Sequence, residues 1–208
     1  STPQPRLGAL PERVKQGDMA ARQAYQKAVR AQREAAIAWW MDRMVAVQRP
    51  WTEKRTLLWH DHWATSIQKV QSGAAMLAQN ATLRSLGGGD FQVLANAMVR
   101  DPALLIWLDG PRNTAKAPNE NLAREFMELF VLGVGTYTEN DVKAVAAALT
   151  GWMVNRRAAD TPKAVFRPRR HSPGHQTVLG RTADFSTEDL VAHLVSRPAS
   201  PRHVASRF

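Results

Sequence analysis

Five side chains have types and spacings that could do chemistry: His60, His62, Asn121, Glu125 and Glu128. Glu125 and Glu128 stand three residues apart, which on a helix puts both carboxylates on one face. Such a pair can hold one cation, or can work as a general acid and base. Asn121 lies one turn earlier and would line the same polar cleft. His60 and His62 are two residues apart, so on a regular helix they diverge by about 200° and only one can join the carboxylates. An imidazole with two carboxylates makes a donor set suited to Zn, Mn or Fe. A divalent metal is therefore the cofactor this pattern would take, with His60, His62, Glu125 and Glu128 as candidate ligands. Glu125, Glu128 and Asn121 are the candidates for acid–base work.

Each of these groups also has a purely structural reading. Glu120, Arg124 and Glu128 form an i, i+4, i+8 ladder of alternating sign, the mark of a solvated face. One histidine can pack among Trp59 and Trp63 while the other donates to a buried carbonyl. The sequence has no His-Glu-x-x-His or Glu-x-x-His spacing, no EF-hand loop, no Walker A and no nucleophile elbow. Three functions stay open: a binding or assembly module that performs no chemistry, an enzyme with a His/carboxylate metal or acid–base site, and a polyanion-binding protein.

The elements that must position these residues are helical. Ala24, Ala28, Ala31, Ala35 and Trp39 follow one another at spacings of three or four, which predicts a helix from about Pro11 to Gln48, broken at Arg49-Pro50. A second helix is expected from about Thr52 to Val70, with Trp59, Trp63 and Ile67 on one face. Gly87-Gly88-Gly89 reads as a flexible hinge or turn, and a helix from Phe91 to Val99 follows. Asp101-Pro102 opens a short helix ending near Leu108. In the helix from Glu120 to Leu132, residues Leu122, Ala123, Phe126, Met127, Leu129 and Phe130 make a core stripe, with Gly133 as the C-cap. Thr138-x-x-Asp141 and Ser186-x-x-Asp189 open two more helices. Between them, Ala164-Val-Phe166 and Thr177-Val-Leu179 predict one β-hairpin around a basic loop. The expected fold is all-α, an orthogonal multi-helix bundle of about six or seven helices, with one small β-hairpin after residue 160. Residues 1–10 read as a loose arm and 11–208 as a single helical domain. Helical patterning resumes after Pro201, so the chain is expected to be the N-terminal part of a longer protein.

Composition narrows the partners. There is no cysteine, which excludes disulfides and thiolate ligands. No apolar run reaches the ~18 residues of a membrane span. The net charge is +10, yet it is uneven: residues 1–70 carry 12 basic and 6 acidic groups, 71–150 carry 6 and 8, and 151–208 carry 10 and 4. A basic loop of Arg167, Arg169, Arg170, His171 and His175 could meet a phosphate or an acidic polysaccharide. It has no interleaved aromatic for stacking on bases, so nucleic acid is not the expected partner.

Several stretches together resemble a bacterial family catalogued as domain of unknown function 1800. They are Leu58-Trp-His-Asp-His-Trp63, Asp101-Pro-Ala103, Trp107-Leu-Asp-Gly110, Pro118-Asn-Glu-Asn-Leu-Ala-Arg-Glu-Phe-Met-Glu-Leu-Phe130, Leu132-Gly-Val-Gly-Thr-Tyr-Thr-Glu-Asn-Asp-Val142 and Leu149-Thr-Gly-Trp152. The match runs over roughly residues 35–195. His171, Gly174 and Leu179-Gly180 continue it, although Ser172 replaces the family's usual acidic residue and Gln176 a common lysine. The resemblance implies a longer protein, an exported one in the periplasm or outside the cell, and partners such as its own remaining part or another exported protein. It implies no particular activity.

Overall fold

The structure is a computed structural model and describes residues 3–7, 10–11, 18–155 and 162–207. Among these are ten α-helices and two two-stranded antiparallel sheets, so the protein is mostly helical. The expected start of the first helix, in 12–17, lies outside the described residues. In order come α1 (Met19–Ala46), α2 (Trp51–Trp63), α3 (Ile67–Val70), α4 (Gly73–Leu86), α5 (Phe91–Met98) and α6 (Pro102–Trp107). After a loop come α7 (Glu120–Glu125), a π-helical stretch (Phe126–Val131) and α8 (Glu139–Ala148). The rest is β1 (Trp152–Asn155), β2 (Lys163–Phe166), β3 (Gln176–Val178), β4 (Arg181–Ala183), α9 (Thr187–Val195) and α10 (Ala199–Ser206). No described helix is long and apolar enough to cross a membrane.

Local sequence explains most of the boundaries. Asp18, Ser66, Ser72, Asp90, Asp101, Asn119 and Ser186 each accept a backbone N–H at a helix start, and Thr138 with Asp141 closes a capping box. The expected single helix from Thr52 to Val70 is two. Ala64 adopts a left-handed conformation (φ 43°) that ends α2, and Ser66 caps α3. The sequence shows no helix at 73–86, but α4 is there. Its buried face carries Gln79 and Asn80, and those polar groups interrupt the apolar periodicity.

Two expectations need correction. The β residues do not form one hairpin: 163–166 pair with 152–155 and 176–178 pair with 181–183. Leu179-Gly180, with positive φ at both, makes the tight turn that pairs β3 with β4 instead. Leu129 is not in the core but 44% exposed. The π-helical bond from Leu132 N–H to the Met127 carbonyl (2.6 Å) widens the last turn and rotates Leu129 off the stripe.

The main core gathers around Trp63, Phe126 and Phe130, all essentially inaccessible, with Trp63 and Phe130 ring centroids 4.8 Å apart. Gly87 belongs to a pinned turn: the Trp59 indole donates to its carbonyl at 2.7 Å. A smaller cluster of Ala36, Trp39 and Leu77 joins α1 to α4, and the arm residue Leu7 packs on it while the Gln4 amide donates to the Leu77 carbonyl. The α1–α4 approach is closest at Gly73, where an added Cβ would stand 2.6 Å from the Gln32 carbonyl oxygen. Gly73→Ala is expected to lower stability by about 1–3 kcal/mol, because backbone overlap outweighs the gain in helix propensity. Urea denaturation checks this; a variant as stable as the wild type would show that the two helices stand further apart.

Candidate ligand pocket

The α1–α4 contact leaves a cavity of about 240 Å³ between α1, the end of α2, the turn into α3, and α4. Trp39 and Trp40 come from one turn of α1, with Ala36 and Ile37 a turn earlier. Helix α2 contributes His60, the turn contributes Thr65, Ser66 and Ile67, and α4 contributes Met76, Leu77 and Asn80. The walls are thus mostly apolar and aromatic, with a few polar groups, as small-molecule sites generally are.

A buried ionic clamp holds these helices in register. Glu53 of α2, only 3% exposed, accepts from Arg43 Nε of α1 at 2.7 Å and from both terminal nitrogens of Arg84 of α4, one at 2.8 Å. Burial pushes the Glu53 carboxyl up, but bonds to Arg84 and then Arg43 outweigh it and hold the pKa below its ordinary value. The Trp39 ring lies beneath both guanidiniums, at 5.8 and 5.9 Å. Arg84 also donates to Asn80 Oδ1 at 2.9 Å. The Asn80 amide nitrogen and the Trp40 indole nitrogen are both buried without a hydrogen-bond partner among the described residues. An unpaired buried donor costs about 1–3 kcal/mol, and both of these residues line the cavity.

A polar chain leads from the pocket into the core. The Thr65 hydroxyl donates to Gln79, whose amide donates to Asp101 Oδ1 at 2.7 Å, and that oxygen caps α6 through Leu104 N–H at 2.9 Å. Burial raises the Asp101 pKa to about 6 despite these donors. His60 meets Trp40 edge-on, centroids 5.0 Å apart, and burial lowers its pKa against the pull of Asp61.

The five residues singled out in the sequence part company. His60 lines the pocket. His62 points the other way into the aromatic core, 4% exposed and edge-on to Trp59 and Trp63, and its Nε2–H donates to the Phe130 carbonyl at 2.9 Å. Both structural readings of a histidine thus meet in His62. Glu128 accepts from the Tyr137 hydroxyl, and burial with that bond pushes Tyr137 up to about 12. Burial and then Glu128 raise the Glu125 pKa. Asn121 is exposed. Arg124 does not complete the ladder, since its partner is Glu139 of α8 at 2.7 and 2.9 Å. The expectation was that one of His60 and His62 joins Glu125 and Glu128 on an ion; among the described residues no three His, Asp or Glu gather to hold a metal. The roughly 200° divergence of the two histidines and the claim of the Phe130 carbonyl on His62 give the reason. The residues missed were Trp40, Glu53 and Asn80. The adjacent Trp39-Trp40 pair was a signal; Glu53 and Asn80 looked like ordinary surface polar residues.

The fold is mostly helical, with a small cavity between α1, α2 and α4. The family described as "Protein of unknown function (DUF1800)" matches residues 2–208, and the chain belongs to it. No curated protein and no solved structure matches the chain.

His62 and Asp101 should give opposite pH dependences. Burial lowers the His62 pKa to about 4, with the Phe130 bond opposing. Between pH 6.5 and 4 the unfolded chain gains a proton there that the folded chain refuses, so stability falls with pH, by about 3 kcal/mol in all. Asp101, raised to about 6, keeps in the folded state a proton the unfolded chain releases above about 4. Its contribution is present below that and lost as pH rises through 6. Urea titrations from pH 6.5 to 4 should therefore show a shallow slope for the wild type and a steep loss toward acid for Asp101→Asn. Equal slopes would contradict the assignment.

Proposed function

We propose that the protein is a binding module that takes a small aromatic or branched aliphatic molecule bearing a carboxylate in the pocket between α1, α2 and α4. The observation carrying this reading is the pairing of aromatic walls with two buried donors, Trp40 Nε1 and Asn80 Nδ2, that lack acceptors. Beside them the clamp sets two guanidiniums against one carboxylate, which leaves a net positive charge. At about 30 Å³ per water, the cavity equals about eight waters, the size of one ring with a short side chain. An exported location, periplasmic or extracellular, accompanies this proposal and rests on the family resemblance; finding the native protein in the cytoplasm would remove that part.

Phenylacetate is a suitable probe, with benzylamine as the cationic counterpart. Calorimetry and tryptophan fluorescence should give a Kd below about 1 mM for phenylacetate and much weaker binding of benzylamine. Met76→Trp, which fills the cavity from its half-buried wall, should abolish binding. Trp40→Phe, which keeps a ring but removes the N–H, should weaken it roughly three- to tenfold. Binding of phenylacetate unchanged in both variants, or no binding to the wild type, would overturn the proposal.

A further inference from the structure

A second site, independent of the pocket, is built on the Leu149-Thr-Gly-Trp152 turn. Thr150 and Asn113 are fully buried and tie two loops together. The Thr150 hydroxyl accepts from Ser172 N–H at 2.7 Å. Gly151 N–H donates to the Asn113 carbonyl at 3.3 Å, and Arg167 N–H donates to the Gly151 carbonyl at 2.9 Å. Ala115 N–H donates to the Arg170 carbonyl at 2.8 Å. Gly151 has φ +97°, and an added Cβ would stand 2.8 Å from the Phe166 ring. The loop at 110–118 and the segment at 163–175 are thereby fixed side by side.

These two adjoining segments carry Arg112, Lys116, Lys163, Arg167, Arg169 and Arg170, all six exposed. Neither 110–118 nor 163–183 contains an acidic residue. Four cations elsewhere take carboxylates, Arg30 with Glu34, Lys69 with Asp109, Arg100 with Glu188 and Arg124 with Glu139, whereas exposed Arg22, Lys27 and Lys54 are scattered along helices and take none. Among the described residues, none of the six has a carboxylate within 4 Å. Holding like charges together against their repulsion, on loops pinned by buried bonds, favours an anionic partner.

We infer that these segments bind an acidic polysaccharide, their arginines and lysines meeting successive sulfates or carboxylates. Among the described residues the only exposed large aromatic there is Phe166 (38%), whose ring is engaged with Trp152 and His171. One engaged ring offers no series of platforms for successive bases, so a nucleic acid strand fits less well.

The test titrates the full chain with a heparin decasaccharide, and with a 20-nucleotide single strand, between about 50 and 200 mM salt. Heparin should bind more tightly than the strand, with affinity falling steeply as salt rises. Arg112→Gln/Arg167→Gln/Arg169→Gln should bind heparin at least about tenfold more weakly and lower the log–log salt slope by about one per lost contact. Arg22→Gln/Lys27→Gln/Lys54→Gln removes the same charge from exposed positions of α1 and α2 and should bind like the wild type. Equal losses in the two variants would reduce the effect to net charge. Equal or tighter binding of the strand would overturn the polysaccharide class, and absence of heparin binding would overturn the site. Melting curves of both variants verify folding; if the first melts early, Lys116→Gln/Lys163→Gln replaces it with the same expected direction.

Discussion

A single carboxylate, Glu53, sets the frame of the pocket. It is nearly inaccessible, and both its oxygens are taken by guanidiniums from the helices on either side, α1 and α4. Desolvating a carboxylate and two guanidiniums costs several kcal/mol per ion, and only close, multiple hydrogen bonds offset this. Such an arrangement adds little net stability over a well-packed apolar one, but it tolerates one geometry. Trp39 fills the space below both arginines, and Arg84 turns the Asn80 amide so that its oxygen is satisfied and its nitrogen is not. The cavity and its donors follow from that geometry.

A different constraint rules the centre of the molecule. Helix α7 ends in a π-helical stretch, and the carbonyls of its last turn lack ordinary helical partners. Histidines from two other helices supply them: His62 of α2 donates to Phe130 and His203 of α10 donates to Leu129, each at 2.9 Å. His193 of α9 likewise donates to the Val178 carbonyl of β3 at 2.9 Å. Imidazole N–H groups thus act as fixed donors that tie separate elements together. The cost is sensitivity to acid, since a protonated His62 would be a buried cation among aromatic rings.

Legibility in the sequence tracked how local each feature is. Caps such as Thr138-x-x-Asp141, Ser186-x-x-Asp189 and Asp101-Pro102 stand at their expected places because a cap depends on three or four neighbouring residues. The apolar stripe of α7 was legible up to the π turn, which no periodicity announces. Strand pairing was not, because Ala164-Val-Phe166 and Thr177-Val-Leu179 suit several partners and the choice falls to the turn at Leu179-Gly180. In the site, the divergence of His60 and His62 was readable from their spacing. The roles of Glu53 and Asn80 were not: Glu53 becomes a clamp only when Arg84, 31 residues further on, packs against it, and the bond from Arg84 to Asn80 within α4 shows no link to a cavity until α1 closes over it.

The proposed binding pocket lies beside Trp39 and Trp40. Indole ¹H–¹⁵N spectra of the seven tryptophans during a phenylacetate titration test it most directly. The Trp40 indole, buried and without an acceptor, should show the largest downfield shift as it gains a carboxylate oxygen, with Trp39 following and Trp107 and Trp152 unchanged. A titration that moves Trp152 while leaving Trp39 and Trp40 in place would contradict it.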